Sequence, residues 1–222
     1  MAYGRIAENY RRIREELPGE VDILVAAKGC NPGELAEVME AGARILGENY
    51  VQEAEAAMAV LGERAGTAQW HMIGRLQRNK VSKALGLFDL IQTVDSARLA
   101  RALNNRAAEP LGVLVEVNIA GEESKSGVAP GEVLPLLEEI SALDKLRVEG
   151  LMTMEPYFDD SEEARPYFVR MRELFEKLRG VSLPNVDLHI LSMGMSNSWR
   201  VAAEEGASMV RLGSAIFGPR GT

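Results

Sequence analysis

Two short turns near one end of the chain, Ser192-Met193-Gly194-Met195-Ser196 and Arg211-Leu212-Gly213-Ser214, bring hydroxyls, glycines and an arginine to the ends of apolar, strand-like runs. Glycines let backbone N–H groups approach an anion closely, Ser192 and Ser214 add hydroxyl donors, and Arg211 adds a permanent charge. These turns therefore describe a phosphate cradle, the plainer alternative being that Gly194 and Gly213 only permit tight turns. Lys28 ends a third apolar run near the opposite end of the sequence. A lysine in that place either snorkels its ammonium into water or, desolvated by an apolar barrel mouth, presents a neutral amine able to attack an aldehyde. Cradle and amine together point to a phosphorylated carbonyl ligand. His71 and His189, the only histidines, lack carboxylate or cysteine neighbours at metal-ligand spacing and read as structural or pocket-lining groups. Cys30 is the single cysteine, so no disulfide can form within the chain.

The elements that must position these groups alternate. Apolar runs at 21–28, 44–49, 69–74, 90–95, 112–119, 148–154, 186–194 and 208–217 predict strands, and helical patterns at 32–41, 51–61, 77–85, 96–108, 131–143, 162–178 and 197–205 separate them. Ser96 and Ser161 stand as helix N-caps, and Gly42, Gly86, Gly180 and Gly206 stand where helices should end. Near-continuous apolar strands joined by helices require a parallel sheet covered on its outer face, and eight such units predict closure into a TIM-type (β/α)8 barrel over residues 21–218. A further helix within residues 1–18, with Ile6, Tyr10, Ile13 and Leu17 on one face, should lid or flank it. The whole chain is expected to be one domain. The polar loop 121–127 is expected to be a mobile flap. In such a barrel the functional groups gather at the carboxyl ends of the strands, where Lys28, Asn49, His71 and both serine-glycine turns fall.

Composition bounds the partners. The chain has 222 residues, 46% of them hydrophobic, and a net charge of −8 from 25 basic and 33 acidic side chains. That surface repels nucleic acid and anionic lipid, so any anion site must be local. The charged start and the lack of a long apolar run predict a cytoplasmic protein that does not enter membranes.

Six segments in order then carry a resemblance: Lys28 ahead of Pro32, Gly47-Glu48-Asn49-Tyr50-Val51-Gln52-Glu53, Trp70-His71-Met72-Ile73-Gly74-Arg75-Leu76-Gln77-Arg78-Asn79-Lys80, Gly150-Leu151-Met152-Thr153-Met154, Leu191-Ser192-Met193-Gly194-Met195-Ser196, and Met209-Val210-Arg211-Leu212-Gly213-Ser214-Ala215-Ile216-Phe217-Gly218. The chain resembles the pyridoxal phosphate homeostasis proteins, single-domain relatives of the alanine racemase N-terminal barrel. The resemblance implies pyridoxal 5′-phosphate (PLP) as cofactor, Lys28 as the residue of its aldimine, Asn49 and His71 around the ring, Ser192 with Gly213 and Ser214 on the phosphate, and Arg211 facing the pyridine nitrogen. Two departures stand out: Ala27 precedes the lysine where the family often has a hydroxyl residue and proline follows at four rather than three, and Asn197-Ser198-Trp199 occupies the place of a frequent acidic residue. A local change in the first βα loop accounts for the former. For the latter, Asn197 is expected to cap the next helix.

An arginine at the ring nitrogen disfavours its protonation and weakens carbanion stabilisation. The resemblance also implies that the second, acid-supplying domain of the racemases is missing here. A monomeric carrier or buffer of PLP without robust turnover is therefore expected, with apo-enzymes that require the cofactor as partners. A residual amino-acid racemase, decarboxylase or eliminase activity, and a Schiff-base aldolase acting on a phosphosugar, are the enzymatic alternatives. A protein-interaction module is a third, disfavoured by the lack of an apolar stripe beyond the core pattern.

Overall fold

The computed structural model describes residues 5–122 and 125–219. Eight parallel strands, β1 (Asp22–Ala26), β2 (Ile45–Glu48), β3 (Gln69–Met72), β4 (Leu90–Val94), β5 (Leu111–Val117), β6 (Leu146–Thr153), β7 (Val186–Ser192) and β8 (Met209–Leu212), pair in sequence order and close through β8 on β1. The chain is a (β/α)8 barrel of the TIM type, as the alternating pattern predicts. The helices are α1 (Arg5–Glu16), α2 (Pro32–Glu40), α3 (Val51–Leu61), α4 (Val81–Ala84), α5 (Ala97–Asn104), α6 (Val133–Ser141), α7 (Arg165–Arg179), α8 (Trp199–Glu204) and α9 (Ser214–Phe217).

Strand alternation divides the core in two. One set of side chains meets the helices in a large shell that includes Val25, Leu46, Val113 and Leu151. The other set fills the barrel, with Leu24, Ile73 and Met209 in one cluster and Leu90, Leu114 and Met152 in a second, Ile190 touching both. Gly47 belongs to the inward set, where a Cβ would lie 2.3 Å from a Leu24 methyl. Above these apolar layers the inward positions turn polar toward the carboxyl ends of the strands.

Helix α1 buries Ile6, Tyr10 and Ile13 and flanks the barrel against α2 and α9. The Asn9 amide donates to Ile216 O at 2.9 Å, tying the first helix to the last. Several boundaries differ from the sequence pattern. The eighth apolar run does not continue as strand to Phe217: Gly213, at φ −115° and ψ −82°, ends it and α9 begins. The helix predicted from Gln77 starts late, because Gln77 is extended and a 3-10 turn, Arg78–Lys80, precedes α4. Ser96 caps α5 as predicted, accepting from the Leu99 N–H at 3.3 Å. Asp160, not Ser161, caps the next turn, and the Asn197 amide donates to Phe158 O at 2.9 Å instead of capping α8. Glu123 and Ser124 of the 121–127 loop lie outside the described residues, while Asn118 ties the loop's start by accepting from the Gly121 and Glu122 N–H groups. Among the described residues no helix is long and apolar enough to cross a membrane.

Candidate functional site

The first βα loop is shaped by Gly29, whose φ of +68° allows a turn closed by the Cys30 N–H on Ala27 O at 2.8 Å. Asn31 then caps α2 reciprocally with Glu34, and Pro32 opens the helix. That compact cap absorbs the shifted proline. Lys28 sits in this turn, exposed, two residues beyond the inward-facing Ala26.

On the neighbouring side of the mouth, next to β1 around the barrel, the loop after β7 meets the start of α9. Gly194, at φ +91° with a would-be Cβ 2.4 Å from Ala202, turns the chain so that Ser196 reaches β8's end. The Ser196 Oγ accepts from the Gly213 N–H at 3.0 Å and the Ala215 N–H at 3.1 Å, leaving its own proton free to donate. The exposed Ser214 lies between them. Glu155 fixes this loop from β6's side: its carboxylate accepts from the Met195 N–H at 3.2 Å and from the Ser198 hydroxyl.

Two adjoining cavities, about 530 and 860 Å3, share Ala26, Asn49, Gly213 and Ser214. Ser196 and Arg211 line the first, and Lys28 lines the second. Asn49 borders four cavities of the mouth, held at its centre by the close approach of Gly74, where a Cβ would stand 2.3 Å from Asn49 O.

Below the mouth runs a buried relay. Arg211 Nη2 donates to Thr153 O at 2.6 Å, and its Nη1 donates to Ser192 Oγ at 2.8 Å. The Ser192 hydroxyl donates a hydrogen bond to Gln92 Oε1 at 2.8 Å, and the Gln92 amide nitrogen meets His71 Nδ1 at 2.9 Å. Burial pushes the His71 pKa down to about 4, so the ring is neutral and Nδ1 accepts. Burial also lowers the Arg211 pKa, while the Glu155 and Glu116 charges favour its protonated form. Arg211 keeps its charge, being too basic to lose it.

Five of the seven residues singled out from sequence, Lys28, Asn49, Arg211, Gly213 and Ser214, border the joined cavities. The structure places two of the expected residues away from the joined cavities. Ser192 is the last inward residue of β7, in step with Ile190, fully buried and hydrogen-bonded to Gln92 and Arg211. Ser196 stands in the cradle instead, and the signal was available in the same motif as the second serine, beyond the turning glycine. His71 does not line the ring pocket but lies one layer below, as the relay's neutral terminus. Sequence reasoning also missed two buried carboxyls. Burial and then the Glu53 charge push Glu48 up to about 7 against the Asn49 backbone N–H. Burial and then Asp95 push Glu116 up to about 7 against Arg211 and Arg75.

The comparisons with known proteins agree with this fold. The family model of the alanine racemase N-terminal domain matches residues 2–221. A pyridoxal phosphate homeostasis protein of Aquifex aeolicus is 41% identical over 201 residues, covering 89% of this chain and 86% of that protein. The structures of PipY from Synechococcus elongatus superpose with a TM-score of 0.89 without PLP and 0.87 with PLP bound, at 34% and 33% identity. Each spans 96% of this chain and 100% of PipY. With the barrel, the motif order and these likenesses in accord, the chain belongs to the pyridoxal phosphate homeostasis protein family, within the alanine racemase N-terminal-domain family.

Proposed function

We propose that the chain binds pyridoxal 5′-phosphate reversibly at this mouth and serves in homeostasis of the cofactor as a carrier or buffer without robust turnover. The observation that carries the reading is the convergence of an exposed lysine, an amide-and-hydroxyl cradle and a buried arginine on one pair of joined cavities. The donor set suits the cofactor. Ser196, held by the Gly213 and Ala215 N–H groups, and Ser214 answer its phosphate with their hydroxyls, Asn49 and Ile73 its ring, Arg211 its ring nitrogen, and Lys28 its aldehyde, through reversible covalent capture. PLP bound in PipY, a relative at 33% identity, supports the assignment.

When bound, PLP supplies an aldehyde for amines and, if its ring nitrogen is protonated, an electron sink. Arg211 opposes that protonation, because it is a fixed cation with its donors held by Ser192 and Thr153 from beneath. The relay ends on a neutral histidine and so offers no proton in return. Holding the cofactor is favoured over using it, and the exposed Lys28 suits release to apo-enzymes. The names of the relatives support the same division. The reading includes a monomeric, cytoplasmic protein.

Borohydride reduction of the PLP-loaded protein, followed by peptide mapping, tests it. The pyridoxyl label belongs on Lys28, and Lys28→Ala should fold normally yet take none. A label on Lys80, Lys83 or Lys125 instead, or no label, overturns the assignment.

A further inference from the structure

A third cavity of about 680 Å3 opens between the loops after β2, β3 and β4, on the far side of Asn49 from the cradle. Arg75, Arg78 and Arg98 line it, all three exposed. Elsewhere on this chain of net charge −8 some arginines are paired, as Arg64 is with Glu40 at 2.9 Å, and others, such as Arg11, Arg106 and Arg147, stand singly without an ion pair among the described residues; here three converge on one recess. Among the described residues Arg75, Arg78 and Arg98 have no ion pair. One carboxylate borders the cavity there, Asp95, which accepts from the Ser96 hydroxyl at 3.0 Å. Three guanidinium groups against Asp95 on the recess and the buried Glu116 that faces Arg75 leave an excess of positive charge that an anion would neutralise. The walls are not polar throughout: buried Leu76 and Leu99 and the half-exposed Tyr50 ring supply an apolar side.

We propose that this recess is a second anion site, separate from the cofactor cradle, that takes a small organic phosphate with an apolar or aromatic body. The planar guanidinium fork matches phosphate oxygens in pairs, and the leucine and tyrosine walls match an organic group rather than a bare ion. A nucleic acid or other polyanion fits less well, because the chain's net charge of −8 repels a long phosphate backbone. Arg75 and Asn49 border both this recess and the neighbouring space beneath Met154, so occupancy here bears directly on the wall of the cofactor site.

The test is calorimetric titration of phenyl phosphate, with inorganic phosphate and phenol as comparison probes, into PLP-loaded, borohydride-reduced protein. Phenyl phosphate should saturate at one added equivalent and bind more tightly than either comparison probe. Arg75→Ala or Arg98→Ala should each weaken it about 10- to 100-fold, the loss expected for a charge-assisted contact. Tyr50→Ala should weaken it less, and Ser196→Ala not at all. Absence of saturable binding, binding that survives Arg75→Ala with Arg98→Ala, or equal affinity for inorganic phosphate would each overturn the proposal. If the cofactor does not load, the same titration into the unloaded Ser196→Ala, Ser214→Ala chain still tests this recess, so the two readings fail separately.

Discussion

Ser192→Ala separates a buried structural hydroxyl from a phosphate donor. The substitution removes the acceptor of Arg211 Nη1 at 2.8 Å and the donor to Gln92 Oε1 at 2.8 Å, in a place that water does not reach. Each buried group left without a partner costs about 1–3 kcal/mol, so the fold should lose roughly 2–4 kcal/mol after some relaxation. For a domain of this size that is a fall in Tm of roughly 5–15 °C. Thermal unfolding measured by circular dichroism supplies the stability, and equilibrium binding of PLP against unphosphorylated pyridoxal supplies the specificity. Because Ser192 does not reach the cradle, the ratio of the two affinities should hold within about twofold while stability falls. Ser196→Ala should do the reverse, costing PLP roughly 10- to 100-fold and pyridoxal little, with a small change in Tm. A Ser192→Ala variant of unchanged Tm whose phosphate preference collapses would refute the reasoning and restore Ser192 to the phosphate.

Three further outcomes follow from the same geometry. Gly74→Ala puts a Cβ 2.3 Å from Asn49 O, a backbone contact that cannot yield, so stability should drop by about 2–3 kcal/mol in denaturant titration and PLP affinity should fall with it. Glu48 is neutral in the fold below about pH 7, whereas its unfolded carboxyl ionises near 4.5; its contribution is full below about 4.5 and is lost as pH rises to about 7. Glu48→Gln should therefore be more stable than the parent by roughly 2–3 kcal/mol at pH 8 and near parity at pH 4, and a gain independent of pH would show that burial does not shift this group. Wild-type protein loaded with PLP should exchange amino-acid α-protons in deuterated water far more slowly than about 1 s⁻¹, and turnover at or above that rate would promote the racemase-type alternative.

The order of strands and helices, the closure of the barrel and the amphipathic α1 were legible in the chain, because period-2 and period-3.6 patterns need only local residues. That Lys28, Asn49, Arg211, Gly213 and Ser214 would stand at the barrel mouth was legible as well, since each falls at or just beyond the carboxyl end of a strand. Depth was not legible. Whether a polar residue at a strand's end stands in the mouth or one layer beneath depends on how neighbouring strands stagger around the barrel, and no single strand records that. Ser192 and His71 lie below the mouth for this reason, Ser192 bonded directly to Arg211 and linked to His71 through Gln92 of β4. The same holds for the carboxyls of Glu48 and Glu116, whose raised pKa values come first from burial in the closed barrel. Sequence determined which groups arrive at the mouth, and tertiary packing decided which of them meet a ligand and which hold the others in position, because desolvation and hydrogen-bond partnership are properties of the closed barrel alone.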